Sequence, residues 1–208
     1  MRWFSSDHHF GHKNVINYCN RPFKDEIEMT WKLIEAWNSV VKPDDEVFYL
    51  GDFSLSDKYA RDITRRLNGF KRIYVGNHDE PHPAKCRGNP EKMSKHMRRY
   101  QSWGWDEVHL DGLITFNIEG LPDSTKYKAR LSHLPYTESP ETGQDQRHTR
   151  WRLPDDGTPL ICGHVHEIWR TRKTSKGTLM INVGVDAWPD FKPVSELEVF
   201  RELLAGGL

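Results

Sequence analysis

The residues best suited to chemistry form a short histidine pair after an apolar run. Gly163-His164-Val165-His166 directly follows Leu160-Ile161-Cys162, which is a predicted buried strand. Residues two apart in an extended chain lie on the same side, so His164 and His166 can face one point. Imidazoles aimed at one point are typical metal ligands, although two unrelated surface histidines remain the alternative for so short a motif.

Other predicted strands also end in side chains that could bind a metal. The first strand runs into Asp7 and His9, and later strands lead into Asp52, Asn77-His78-Asp79 and His133. Taken singly, Asp7 or Asp52 could cap a helix, Asn77 could occupy a turn, and His133 could be a core histidine. All of these alternatives would have to hold together, which makes them weak as a set.

Carboxylate, amide and imidazole groups without a thiolate suit divalent Mn, Fe, Zn or Ni. Two such metals, roughly 3.5–4 Å apart, need a bridging ligand, and a carboxylate with two oxygens is the natural choice. Asp52, on the central strand, is the predicted bridge. The ions would polarise a phosphoryl group and lower the pKa of a shared water. They would also let a chain with 30 basic and 30 acidic residues hold a phosphate.

Alternating strands and helices must position these residues. Strands are predicted over 2–5, 46–50 and 71–75, with helices over 25–41 and 58–67, which indicates a largely parallel sheet. Functional groups of such a sheet gather beyond the carboxyl ends of its strands. In the longer helix the apolar positions recur at three- and four-residue steps, so a core-facing stripe is predicted at Ile27, Trp31, Ile34, Trp37 and Val41.

The second half of the chain predicts further strands over 106–110, 113–118, 127–131 and 160–162. Alternation over 168–170, 178–183 and 193–200 predicts antiparallel strands of a second sheet. Residues 137–158 are polar and contain Gly143, Pro140 and Pro154, so they are predicted to be a long surface loop. This loop is a candidate substrate lid that carries Arg147, His148 and Arg150.

Length and composition predict one domain over residues 1–208 in a reducing compartment. The 3 cysteines form no C-x-x-C pair, which favours free thiols in the cytoplasm. The chain shows no apolar signal region and no run long enough to cross a bilayer, so we expect a cytoplasmic protein without a membrane partner.

In this order, the motifs resemble those of the calcineurin-like metallophosphoesterase superfamily. The segment from Phe10-Gly11-His12 to Arg21-Pro22-Phe23 is similar to a small bacterial and phage branch. The resemblance implies an α/β fold, an αββα sandwich of two mixed β-sheets flanked by helices. It also implies one metal held by Asp7, His9, Asp52 and His166, and a second held by Asp52, Asn77, His133 and His164. The two histidines of the opening pair would then serve different ions.

The resemblance further implies that His78 lies beside the substrate and stabilises the transition state or protonates the leaving oxygen. Asp79 would orient the ring of His78. His12, Arg21 and Tyr136 are candidates for substrate contacts, with positioning or packing as the alternative for each.

The expected activity is metal-dependent hydrolysis of phosphodiester bonds in a small phosphate ester such as a cyclic nucleotide. A hydroxide bridging two divalent metals would attack the phosphorus atom. Mn is the first candidate for these metals, and Fe, Zn or Ni are the alternatives. A phosphomonoesterase or a nuclease could use the same metals, although a net charge of zero disfavours nucleic acid as a partner. A non-catalytic scaffold of this fold is the remaining alternative, and the complete ligand set argues against it.

Overall fold

Two five-stranded sheets form the centre of the computed structural model. The structure describes residues 1–118, 120–121, 126–137 and 148–206. In the first sheet the strand order is β10-β1-β2-β3-β4, and β1 to β4 run parallel while β10 is antiparallel to β1. Its strands are β1 Arg2–Ser5, β2 Glu46–Tyr49, β3 Phe70–Tyr74, β4 Glu107–His109 and β10 Val194–Ser195.

The second sheet is mixed, with the order β5-β6-β7-β9-β8. Its three central strands β6, β7 and β9 are parallel, and the edge strands β5 and β8 pair antiparallel to their neighbours. Phe4 and Leu50 of the first sheet share a buried cluster with Leu131 and Ile181 of the second, so the sheets pack face to face. The strands are β5 Asp111–Thr115, β6 Lys128–Ser132, β7 Leu160–Cys162, β8 Thr171–Lys173 and β9 Leu179–Asn182.

Helices flank the sheets, which confirms the predicted α/β class with two mixed sheets. A second large cluster joins Leu33 and Trp37 of α2 to Val47 and Ile73 of the first sheet. Asp25 starts α2 by accepting hydrogen bonds from the backbone N–H groups of Ile27 and Glu28. The helices are α1 Lys13–Tyr18, α2 Glu26–Val40, α3 Asp57–Thr64, α4 Pro83–Cys86, α5 Pro90–Trp103 and α6 Glu196–Ala205.

The predicted core stripe of α2 is wrong at two positions. Ile27 is 58% exposed and Trp31 is 56% exposed, whereas Met29 and Leu33 are fully buried. The helix turns the row that contains Met29, Leu33 and Trp37 toward the sheet, and residues 27 and 31 lie about 200° away from position 29. Trp31 instead packs under the guanidinium of Arg66, 5.0 Å from the ring centroid.

The prediction of antiparallel strands after residue 167 is also corrected. β9 runs parallel to β7 and antiparallel to β8, β10 has only two residues and joins the first sheet, and residues 196–205 form α6. Ser195 and Glu198 make reciprocal hydrogen bonds that cap this helix. Val199 and Leu203 are buried one helical turn apart. The alternation of apolar and polar residues over 193–200, which predicted a strand, concealed this helical spacing.

The predicted surface loop is only partly described. Residues 138–147, including Arg147, lie outside the described residues, so the candidate lid is a prediction there. The described part contains a 3₁₀ turn over Thr149–Trp151, and Leu153 packs against the buried side chains of Tyr136 and Leu160. Within the described ranges, no helix is long and apolar enough to span a bilayer.

Candidate metal centre

The seven predicted metal ligands lie together beyond the carboxyl ends of five strands. β1, β2 and β3 of the first sheet lead into four of them, and β6 and β7 of the second sheet lead into three. Parallel strands end at a common edge, which is why residues so far apart in sequence meet. The first sheet supplies Asp7, His9, Asp52 and Asn77, and the second supplies His133, His164 and His166.

The Asp52 carboxylate is at the centre of this cluster. Its Oδ2 atom is 3.6 Å from Nε2 of His9, 3.4 Å from Nε2 of His133 and 3.9 Å from Nε2 of His78. These distances exceed the usual range of about 2.7–3.2 Å for N–H···O hydrogen bonds. The atoms therefore converge on one region without closing it by direct hydrogen bonds.

The ligand candidates form two neighbouring groups, and Asp52 belongs to the second of them. Ligand atoms of Asp7, His9 and His166 lie within 4.8 Å of one another. Those of Asp52, His133 and His164 form a second group within the same 4.8 Å limit. His164 and His166 therefore belong to different groups, although the two-residue spacing alone suggested a shared point.

Asn77 adjoins the second group. Its Oδ1 atom is 3.1 Å from Nε2 of His133, and its side chain is buried. An amide oxygen is a hard, neutral donor that suits a divalent first-row cation beside imidazoles and a carboxylate. The second group thus offers the donor set that the resemblance implies for one ion.

Unpartnered polar atoms show that these residues fit a cation. Oδ1 of Asp7 and both ring nitrogens of His9 are buried without a hydrogen-bond partner among the described residues. Leaving a buried polar atom unsatisfied costs about 1–3 kcal/mol. A cation would take the lone pairs of Asp7 and of one His9 ring nitrogen, and the donor set suits a divalent first-row metal.

Two of the four candidate histidine ligands, His9 and His164, have lowered pKa values, and the other two, His133 and His166, have raised ones. Burial lowers the pKa of His9 well below its usual value, and burial together with the nearby His133 lowers the pKa of His164 to about 3. Burial is the largest influence on His133 and acts to lower its pKa, but the charge and hydrogen bond of Asp52, the charge of Asp7 and the Leu50 carbonyl together raise this pKa to about 9. Neutral imidazole is the ligand form, so His9 and His164 are ready to bind, while His133 would have to release a proton.

Asp186 is a site residue that the sequence did not reveal. Its Oδ2 atom is 2.8 Å from Nδ1 of His166. Burial is the largest influence on His166 and acts to lower its pKa, but this hydrogen bond, together with Cys19 and the charge of Asp7, raises the pKa to about 11. A carboxylate on Nδ1 leaves Nε2 as the nitrogen that can bind a metal. Asp186 follows β9, so the rule of polar residues at strand ends could have found it.

Arg21 pairs with Asp186, a positioning contact of the kind given as the alternative to its predicted contact with substrate. Its guanidinium is fully buried and donates to both carboxylate oxygens of Asp186, at 2.7 and 2.8 Å. It also donates to the backbone carbonyls of Asp7 and His8. Cys19 lies with His166 and Asp186 in a third group of possible ligands, but both oxygens of Asp186 are already bound by Arg21.

Tyr136 lies in the interior of the protein. Its side chain is fully buried, and its hydroxyl donates to the carbonyl oxygen of Thr158 at 2.7 Å. This bond ties the chain after β6 to the residue that precedes the Pro159–Leu160 segment. The position fits the packing role that was the alternative to the predicted substrate contact.

His78 and Asp79 have separate positions. The His78 side chain is 41% exposed at the rim of the cluster, and its backbone N–H donates to Oδ1 of Asp52 at 2.9 Å. Asp79 is buried and accepts hydrogen bonds from the backbone N–H groups of Asp52, Phe53 and Gly76. Burial, and then the charge of Asp52, raises the pKa of Asp79 to about 7. Asp79 thus holds the loops after β2 and β3 together. The resemblance implied a different role, in which it orients the His78 ring.

The backbone is held in an unusual conformation at most of the candidate ligands. A positive φ is uncommon for residues other than glycine and costs of order 1–3 kcal/mol where it is strained. The loops that carry these residues also approach each other closely, because a Cβ on Gly163 would lie 2.0 Å from Oγ of Ser6. The affected ligands are Asp7 (φ 60°), His9 (φ 51°), Asp52 (φ 57°), His164 (φ 73°) and His166 (φ 50°).

Comparison with known proteins identifies relatives over nearly the whole chain. The Gene 66 protein of Mycobacterium phage L5 is 34% identical over 194 residues, covering 89% of this chain and 86% of that protein. The Gene 66 protein of Mycobacterium phage D29 is 32% identical over 210 residues, covering 99% and 98%. No protein-family model matches the chain.

A solved structure shares the fold. The crystal structure of AQ665, a protein of unknown function from Aquifex aeolicus, superposes with a TM-score of 0.64 at 28% identity, covering 97% of this chain and 98% of that one. Both phage relatives exceed 30% identity and are covered almost end to end. This chain therefore belongs to the family of the Gene 66 proteins of mycobacteriophages L5 and D29.

Proposed function

We propose that this protein is a metal-dependent phosphoesterase of the calcineurin-like metallophosphoesterase superfamily. Its preferred reaction would be hydrolysis of a phosphodiester bond in a small substrate such as a cyclic nucleotide. The observation that carries the proposal is the position of Asp52, whose carboxylate belongs to one group of ligand atoms and lies 3.6 Å from Nε2 of His9 in the other. Two adjacent groups with a shared carboxylate are what a dinuclear centre requires.

The residues divide the work of binding and positioning. Asp7, His9 and His166 would hold one ion, and His133, His164 and Asn77 would hold the other, with Asp52 contributing to both. Two divalent cations, of which Mn is the first candidate, would polarise a phosphoryl group and make water nucleophilic near neutral pH. Asp186 holds the His166 ring through Nδ1, and Arg21 balances the charge of Asp186.

His78 is the candidate proton donor. It is the imidazole at the rim of the cluster with a substantially exposed side chain, and its Nε2 atom lies 3.9 Å from Oδ2 of Asp52. The ring also meets the His9 ring edge-on, at 5.3 Å between centroids. A substrate phosphate beside Asp52 would thus place a leaving oxygen within reach of His78.

Replacing His78 by Ala should lower hydrolysis of a diester with a poor alkoxide leaving group by about 10²–10⁴-fold. A nitrophenyl diester should lose much less, because nitrophenolate leaves without a proton. The comparison of kcat for both esters checks this prediction. His109→Ala is the matched control, since His109 lies on β4 in contact with Glu107. Equal losses on both esters would contradict a proton-donating role.

A metal and substrate screen tests the proposed function itself. The chelated protein is reloaded with Mn, Fe, Zn, Ni or Mg and assayed on a small diester, a monoester and single-stranded DNA at two salt concentrations. We expect activity only after loading, with the diester preferred. Preference for the monoester, or salt-sensitive cleavage of DNA, would assign the same centre to a phosphomonoesterase or a nuclease. Fewer than two bound ions and no hydrolysis would overturn the proposal.

A further inference from the structure

A cavity opens directly beside the candidate metal centre. Its volume is about 320 Å³, and four histidines of the centre form part of its wall: His9, His78, His164 and His166. Cavities that bind small molecules usually measure about 300–1,000 Å³. A phosphate at the metal centre would therefore extend one of its substituents into a space the size of a small organic group.

Two exposed apolar side chains line this cavity. Tyr18, the last residue of α1, is 69% exposed, and Ile168, which follows β7 and the histidine turn, is 56% exposed. Val15 and Val165 are buried and line the same cavity, so its apolar wall extends into the interior of the protein. Large apolar side chains left exposed around a concave site are typical of ligand contacts.

The charges around the cavity disfavour a highly anionic occupant. Among the described residues that line it, Glu167 carries the only formal charge apart from the histidines, and neither lysine nor arginine is present. A nucleic-acid strand or a polyphosphate would place further phosphates beside this carboxylate without a basic side chain to neutralise them. An uncharged group meets no such cost.

His12 adds one polar contact to this apolar surface. Its ring lines the cavity and lies edge-on to Tyr18, at 6.2 Å between centroids. An imidazole ring can donate or accept a hydrogen bond through its polar edge. A planar group that stacks on Tyr18 and carries a hydrogen-bonding edge would therefore match both side chains.

We infer that this cavity binds an uncharged aromatic substituent of the phosphodiester, such as a nucleobase, between Tyr18 and Ile168. The inference rests on the proposed function and narrows its substrate to diesters with one phosphate and one aromatic group. His12 supplies a hydrogen bond to the edge of that group. Tyr18 and Ile168 act on substrate choice, whereas the chemistry stays with the metal centre and His78.

Two cyclic diesters, only one of which carries a nucleobase and its ribose ring, test the inference. The metal-loaded protein is assayed on adenosine 2′,3′-cyclic phosphate and on glycerol 1,2-cyclic phosphate. Stacking of a base on an aromatic residue is worth a factor of about 5–150 in binding. We therefore expect Tyr18→Ala to raise KM for the adenosine ester by that factor, with a much smaller change for the glycerol ester. Tyr18→Phe should retain the low KM because its ring can still stack.

A binding measurement gives a readout that does not depend on turnover. Saturation-transfer NMR should detect adenosine on the metal-free wild-type protein and a weaker signal with Tyr18→Ala. Trp31→Ala is the matched control, because Trp31 is an exposed aromatic side chain of α2 outside this cavity. It should change neither the NMR signal nor either KM.

The outcomes separate the two proposals. If wild type hydrolyses both cyclic esters with similar KM and Tyr18→Ala alters neither, the inference about the cavity is wrong while the phosphoesterase function stands. Tighter binding of an oligonucleotide or of adenosine triphosphate than of the cyclic ester would also overturn it. If no phosphate ester is hydrolysed under any metal, the proposed function fails instead.

Discussion

Asp52→Asn is expected to abolish stable binding of both ions and to lower phosphodiester hydrolysis by about 10³-fold or more. The loss follows from the position of Asp52, whose carboxylate oxygen Oδ2 approaches Nε2 of His9 in one ligand group and Nε2 of His133 in the other. Asparagine removes the negative charge that both ions would share. It keeps a carbonyl oxygen where Oδ1 accepts the backbone N–H of His78, so the loop should stay folded.

Elemental analysis after dialysis, together with kcat on a diester, measures this effect. Asp62→Asn serves as the matched control, because it makes the same chemical change on the exposed face of α3. The control should bind two ions and retain activity. A variant at position 52 that keeps both ions and full turnover would show that the carboxylate is not the bridge.

Arg21→Met should destabilise the protein by about 3–5 kcal/mol, because it removes the guanidinium that binds both buried oxygens of Asp186 and leaves only His166 beside that charge. The Arg21 and Asp186 side chains are 0% and 2% exposed, so water cannot replace the lost interaction. The substitution also removes the hydrogen bonds to the carbonyls of Asp7 and His8. Urea unfolding of the metal-free protein measures the change in free energy.

Arg61→Met is the control for this experiment. Arg61 and Asp62 form an ion pair on the surface, with side chains 52% and 47% exposed, and such pairs contribute at most about 1 kcal/mol. Adding Asp186→Asn to Arg21→Met should restore part of the lost stability, since it removes the buried charge that His166 alone would have to balance. A loss below 1 kcal/mol for Arg21→Met alone would mean that Asp186 does not depend on Arg21.

The strand ends could be predicted because their signal is local. β2 and β7 are short, mostly apolar strands that lead through a glycine into Asp52 and His164, and buried parallel strands favour such apolar runs. The orientation of α2 could not be predicted in the same way. Its sequence contains two overlapping apolar rows, and only packing on the sheet selects the row of Met29 and Leu33 over Ile27 and Trp31.

Residue types at the site were predictable, but several contacts were not. The spacing of Asp7, Asp52 and the histidines indicated where donors gather, whereas the partner of Asp79 depends on how two loops meet. Its carboxylate binds backbone N–H groups from both loops, a contact that no short pattern encodes. Arg21 is similar, because it meets Asp186 across 165 residues of chain.

Each ligand group draws on both sheets of the fold. Asp7 and His9 of the first sheet face His166 of the second, and Asp52 faces His133 and His164. A bound ion would therefore act as a cross-link between the two halves of the protein, which unfolding must break. Ligands that bind only the folded state add about 2.7 kcal/mol of stability at a hundredfold excess over Kd. The lifetime of this protein would then follow the metal supply of its cell.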